Sequence, residues 1–497
     1  MFNKDILGFL ILVAGAFGGT LLNCFSKRSR DVFFVIMVFL APMTENWDVN
    51  FVSRDWYRGT LRGFEFSLVD VLSVSLLLSA LIAPRQGEKR FYWPASLGIM
   101  LIFYAYAVVN VAFSDPMLFG LFELSKMIRG LVIFLAAALY VRSERELRLL
   151  IAALAAVACY EGYLALKQRY FYGVHRVYGT IDDSNSLSVF FCMVAPVLVA
   201  AFNARWSKYL KAICAVGIAL ACVGVVLTIS RAGVVILAAV LLGTALTTMS
   251  YQFSARKLAI MLVVILGAAG ITAKSWQTLG ERFKESSLQD EYGNKKNLGR
   301  GYYIRIAKAI AQDRLLGVGL NNWSYWVSNH YGPALGYRFV PYVGTDREPS
   351  SRIPENSNID EAQAAPAHSL GALTLGELGI PGFILFGFVW MRWFHVGSVF
   401  LWKRSFDPMR QIGVGILFGF SGMFLQSLTE WVFRQSPLYY VFHILLGALA
   451  ALYYHKRQQK RLARRALEAQ QQWSERVFAP ESGPLQESVL TSSARGT

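Results

Sequence analysis

The chain has 497 residues, of which 55% are hydrophobic and 16% charged, and 49 Lys and Arg against 32 Asp and Glu give a formal charge of +17. A soluble domain carries about 25% charged residues, so this composition excludes a cytosolic enzyme, a secreted disulfide scaffold and a disordered chain. It also weakens nucleic-acid binding as the reading of the charge, because basic residues in a membrane protein serve as topology signals.

Apolar runs long enough to cross about 30 Å of hydrocarbon occur near 5–23, 65–83, 93–113, 117–140, 147–167, 185–204, 209–229, 256–273, 368–395, 408–432 and 437–455. Two shorter runs, 31–43 and 232–250, complete an all-α polytopic membrane protein of twelve or thirteen helices. The first run is flanked by Lys4 and Asp5 and has no small-residue cleavage site after it, which predicts a retained helix.

Every second connection is basic: Lys27/Arg28/Arg30, Arg85/Lys89/Arg90, Arg142/Arg145/Arg148, Arg205/Lys208/Lys211, Arg256/Lys257 and Lys403/Arg404/Arg410, with Lys456, Arg457, Lys460, Arg461, Arg464 and Arg465 in the tail. The positive-inside rule assigns all seven to the cytoplasm, and the rest of the chain then carries a net charge close to zero. Ten helices with short loops fill 1–273, one long loop on the opposite side occupies 274–367, further helices follow over 368–455, and 456–497 is a basic tail running into disorder. Within the loop, Arg300–Leu316 has helical spacing, with Ile304, Ala307, Ile310 and Ala311 apolar. That pattern predicts an amphipathic helix at the membrane surface.

The five cysteines, Cys24, Cys159, Cys192, Cys214 and Cys222, lie in or at the ends of apolar spans, and no Cys/His spacing suggests a metal. Ionisable groups at membrane depth or at helix ends carry more information. Arg231, in Leu227–Gly233, joins two apolar runs on the side the positive-inside rule leaves uncharged. It is either an interfacial Arg reaching lipid headgroups or a fixed guanidinium fork for a phosphate. Arg300 and Arg305 lie on the same side, roughly 140° apart on a helix. His368 stands where the polar loop meets a membrane helix, as a helix-capping His or as a base for a hydroxyl. Glu123 and Lys126 read as an i,i+3 ion pair, and Tyr178–Asn185 as a turn leading into a helix capped by Asp or Ser.

In their order along the chain these segments resemble the O-antigen ligase and polymerase superfamily. Leu227–Gly233 is similar to its "TxSRxG" junction, and Gly179-Thr180 with Asn185 to its "GTF…N" turn before a proline-containing helix (here Pro196). Gly299-Arg300 with Leu315–Trp323 resembles its "GR…PLLGVGxGNF" segment, and His368-Ser369 with Gly376–Gly379 its "HN…xELG" helix entry. Arg314 replaces the usual Pro, Ser369 the usual Asn, and the closing aromatic is Trp323; the segment Trp47–Gly63 matches nothing in the pattern.

The resemblance implies a multi-pass glycosyltransferase of the bacterial inner membrane with its active site facing the periplasm. It would pass a glycan from undecaprenyl pyrophosphate to an acceptor hydroxyl, without cofactor or metal and with inversion. It matches His368 to the catalytic base and Arg231 and Arg300 to the pyrophosphate-binding arginines, with Arg305 a second candidate. Glu123, Lys126, Asn185 and Glu377 are supporting residues. The acceptor can be lipid A core, the next repeat unit in a polymerase, or a protein hydroxyl in an oligosaccharyltransferase, and the residues do not separate these. The rival of another class is a lipid-linked-oligosaccharide transporter, which predicts related halves and broken helices. No internal repeat is evident.

Overall fold

The computed structural model describes residues 4–46, 48–84, 89–181, 183–249, 300–337, 339–342, 363–402 and 405–478. Residues through Tyr453 form one unit and Tyr454–Thr497 a second. Twelve of the thirteen apolar runs are helices, and the run 256–273 lies outside the described residues. They are α1 (Lys4–Phe25), α2 (Lys27–Leu40), α3 (Leu68–Ile82), α4 (Leu97–Ala112), α5 (Met117–Tyr140), α6 (Glu144–Tyr170), α7 (Ser184–Asn203), α8 (Lys208–Leu227) and α9 (Arg231–Thr248). After the polar helix α10 (Gly301–Asp313) come α11 (Leu370–Ser398), α12 (Pro408–Ser427) and α13 (Ser436–Phe478). Among the described residues seven helices are long and apolar enough to cross a membrane: 7–25, α6, α7, α8, α9, α11 and 436–474. The protein is a multi-pass membrane protein.

Capping residues set several helix starts. Ser67 with Asp70 and Ser143 with Glu146 form capping boxes at α3 and α6, satisfying N–H groups that the first turn leaves open. α7 is buried on all sides, as an evenly apolar helix should be. Its closest neighbour is α12, whose Gly415 and Gly419 lie against Val197 and Met193; a Cβ at Gly419 would come within 2.3 Å of the Met193 carbonyl. Small residues four apart let two membrane helices approach backbone to backbone. Around this pair stand α6, α8 and α9, while α1, α2, α3 and α5 pack beside them and α4 and α10 pack on α11.

Three expectations change. The apolar run 65–83 begins as a strand: Asp48–Phe51 pairs antiparallel with Phe64–Ser67, so a small hairpin interrupts the all-α pattern. The run 408–432 ends as a helix at Ser427, because Thr429 and Glu430 turn back towards α11. On α10 the buried face is Gly301, Tyr303, Ile306, Ala307 and Ile310, which leaves Ile304 exposed and Ala311 half-buried. The face packs on protein, which rotates it from the predicted stripe.

Successive connections gather at opposite ends. At the basic end, Arg30 donates to the Ala83 carbonyl (2.8 Å), Arg145 pairs with Asp31, Trp206 donates to Glu144 (2.8 Å) and Arg410 reaches the Thr247 carbonyl (3.3 Å). The hairpin end holds the remaining connections and all the candidate residues. In the second unit the helix is exposed throughout 457–473, with an Arg464–Glu468 pair at 2.9 Å.

Candidate active site

α11 is capped by Ser369, whose hydroxyl accepts from the Ala372 amide, so His368 is the last residue before the helix cap. The Leu370 amide donates to the Glu430 carbonyl (3.1 Å), which ties the α12–α13 connection to the start of α11. That tie sets Glu430 beside His368: Nδ1 lies 2.7 Å from Oε2. The other carboxylate oxygen accepts from Arg300 Nη2 at 2.5 Å and Asn185 Nδ2 at 3.0 Å. Asn185 Oδ1 in turn accepts from Arg176 Nη2 (3.0 Å), and Arg176 Nε reaches the Thr228 carbonyl (3.2 Å). The His368 side chain is 39% exposed and that of Glu430 is 6% exposed, so the imidazole opens outward while the carboxylate is sealed behind it.

The α8–α9 junction is built by its small polar residues. Thr228 caps the Val225 carbonyl, Ile229 adopts a left-handed φ of 55°, and the Ser230 hydroxyl accepts from the Gly233 amide. A β-branched residue in that region is costly, and the two hydroxyl caps hold it there. A Cβ at Gly233 would sit 1.9 Å from the Ser188 hydroxyl of α7. Thr, Ser and Gly therefore fold the turn, and Arg231 is the half-buried first residue of α9. At a helix N-terminus the open amides and the dipole add to its attraction for an anion.

A second ionic cluster is fully buried. Arg434 joins Glu123 (2.7 Å) to Glu377 (2.9 Å), and Lys126 bonds Glu123 at 2.9 Å and donates to the Arg434 carbonyl. Thr60 donates to Glu123 at 2.8 Å. Burial opposes the Arg434 charge, but the two carboxylates outweigh it and hold the guanidinium above its ordinary pKa. This cluster braces an unusual joint. α11 breaks at Gly379, with φ 66° and ψ −171°, two residues before Pro381. The irregular segment Leu315–Leu320 takes up the freed backbone groups: Val318 N to Gly376 O (3.0 Å), Gly319 N to Glu377 O (2.9 Å) and Ile380 N to Leu315 O (3.1 Å). Asn110 and Tyr106 of α4 donate to Leu316 O and Leu378 O. A broken membrane helix persists only when protein satisfies its backbone in this way.

The segment around Trp47–Gly63, unmatched by any motif, docks here. Asn321 accepts from the Thr60 amide (2.7 Å) and donates to the Leu61 and Phe119 carbonyls (2.9 and 3.0 Å), and Tyr57 bonds the Asn321 carbonyl. Trp47 itself lies outside the described residues.

The structure thus brings together His368, Arg300 and Asn185 on one carboxylate, with Arg231 at the next helix start. Asp183 caps α7, one of the two residue types expected there. Arg305 points elsewhere, to the Tyr337 hydroxyl at 2.8 Å. Glu123, Lys126 and Glu377 belong to the brace. Sequence reasoning missed Glu430, Arg176 and Arg434. A carboxylate closing the apolar run 408–432 was the available signal for Glu430; Arg434 follows it by one turn, and Arg176 had none beyond its neighbourhood. Among the described residues no group of three or more His, Cys, Asp and Glu side chains is placed to hold a metal.

A family model described as O-antigen ligase matches residues 216–387. The match spans Arg231, Arg300, Arg305, His368 and Glu377 and stops short of Glu430 and Arg434. No curated protein matches the chain.

Proposed function

We propose, on the premise that residues 216–387 carry the O-antigen ligase domain and make the chain an O-antigen ligase/polymerase-like membrane enzyme, that it moves a glycan from undecaprenyl pyrophosphate to an acceptor hydroxyl. The reaction takes place at the hairpin end, which is the periplasmic face of the inner membrane. The observation that carries this reading is the meeting of His368 and Arg300, from opposite ends of the long outer segment, on the single carboxylate of Glu430.

A carboxylate can only accept, so Nδ1 of His368 holds the hydrogen of that bond and Nε2 keeps its lone pair. The acceptor oxygen attacks the anomeric carbon as its proton passes to Nε2. The new carbon–oxygen bond forms as the bond to phosphate breaks, and undecaprenyl pyrophosphate leaves with the electron pair. One displacement inverts the anomeric centre. Arg231 and Arg300 stabilise the charge that grows on the leaving group, and preplaced guanidinium groups need no reorganisation to do so.

The test is transfer by the purified protein in liposomes without an ion gradient. Arg231→Ala and His368→Ala should each abolish product while membrane insertion stays normal. Normal transfer by a well-expressed His368→Ala protein would sink the mechanism.

A further inference from the structure

Glu430 is the one group in the cluster that contacts both sides of the proposed reaction. Its Oε1 is taken by Arg300 and Asn185 and its Oε2 by His368. It is sealed from solvent, and its main chain is fixed to Leu370 of α11, so it stays in place whatever its partners do. Arg300 is the cationic partner at the edge of the site: it is 27% exposed and sits at the very start of α10.

We propose that Glu430 is a shared positioning carboxylate that couples donor binding to the base. While the donor site is empty its charge is divided between Arg300 and His368, and a diphosphate that draws Arg300 away leaves that charge to His368. The inference rests on the reading of Arg300 as a diphosphate ligand and His368 as the base.

The argument is one of charge. In the empty site the Arg300 guanidinium neutralises most of what Glu430 offers the imidazole. A diphosphate carries more negative charge than one carboxylate and accepts a planar fork as well, so it competes for Arg300. Asn185 is neutral and fixed by Arg176, so it keeps Oε1 satisfied without cancelling its charge. The imidazole is then favoured as a proton acceptor only when donor is loaded, which protects the enzyme from activating a hydroxyl with nothing to attack. Among the described residues, Glu430 from the α12–α13 connection pairs with His368, Tyr303 of α10 lies against its ring, and Arg300 reaches the same carboxylate, with Arg176 behind Asn185 of α7.

The rate at which diethyl pyrocarbonate modifies His368, read by mass spectrometry of its peptide against pH, reports the protonation of that ring in the full-length protein in nanodiscs. Undecaprenyl pyrophosphate is the probe, with its binding followed by native mass spectrometry. In the wild type the probe should raise the midpoint by about one pH unit, the scale of one close opposite charge. In Glu430→Gln the rise should fall below half of that. In Arg300→Gln, where Glu430 already belongs to His368, the midpoint should start high and the probe should add little. Equal probe-induced shifts in the wild type and Glu430→Gln, or a full shift in Arg300→Gln, would overturn the coupling, since the diphosphate then acts on the ring directly. Should Glu430→Gln fail to fold, the Arg300→Gln arm decides. Absence of probe binding to the wild type would overturn the donor reading itself, and the coupling with it.

Discussion

Arg434 separates two carboxylates that would otherwise face each other inside the protein. Its bonds to Glu123 and Glu377 are short and its surroundings dry, so removing it leaves buried charge without a partner, a change that costs about 3–5 kcal/mol. Arg434→Met should therefore sharply lower the unfolding temperature in detergent, and adding Glu123→Gln should restore part of the loss; unchanged melting of the single variant would show that the brace contributes nothing. A gentler case is Glu65 in the hairpin. Burial pushes its carboxyl up to about 7 against the pull of Arg129. A carboxyl whose folded pKa lies above the unfolded 4.5 gives stability that is complete below pH 4.5 and is lost as pH rises through about 7. Glu65→Gln should flatten that decline in thermal unfolding measured across the same window. At this scale the sequence was legible where partners are close in the chain. Glu123 and Lys126 announce themselves three residues apart, whereas Arg434 closes the same cluster from 311 residues away. No periodicity carries that distance.

The joint between Leu315–Leu320 and the break in α11 explains two of the motifs without reference to substrate. Gly317, at φ 77°, and Gly379, at φ 66°, lie backbone against backbone; a Cβ at Gly379 would be 2.0 Å from the Leu315 carbonyl. Gly379→Ala should destabilise the protein by more than about 1 kcal/mol, whereas Gly387→Ala on the same helix, with open space at its Cβ, should be neutral. Equal melting temperatures for both variants would refute the strain. Motif spacing marked these elements but could not say that they touch, because a helix broken mid-span reads as continuous in hydropathy. Pro381 was a visible warning. The hairpin before α3 was hidden for a related reason: Phe64, Phe66 and Leu68 extend the apolar run across the change from strand to helix.

Over the whole molecule, alternation of basic and nearly neutral connections predicted which helix ends would meet, and the contacts at the two ends follow it. The same alternation makes sidedness testable. In a cysteine-free background, Tyr172→Cys at the hairpin end should react with an impermeant thiol reagent on intact cells, and Tyr209→Cys at the basic end should react only after lysis; both side chains are exposed. Reversed labelling would overturn the orientation and the proposed periplasmic site with it. Hydropathy sufficed for this much because a bilayer imposes it on every span. It could not locate the site, which is assembled from connections whose side chains follow no period.

Asn321 lies inside the stretch that matches the O-antigen ligase family, yet its partners Thr60, Leu61 and Phe119 lie outside it, as does Arg434, the partner of Glu377. The family's portion is therefore not an interchangeable cartridge. A chimera that replaces residues 216–387 with the matching stretch of another protein of that family model would keep the motifs and lose the lock that receives them. Such a graft should fold, read by its melting temperature in detergent, only when the Tyr57–Leu61 segment and the Glu430–Arg434 turn travel with it.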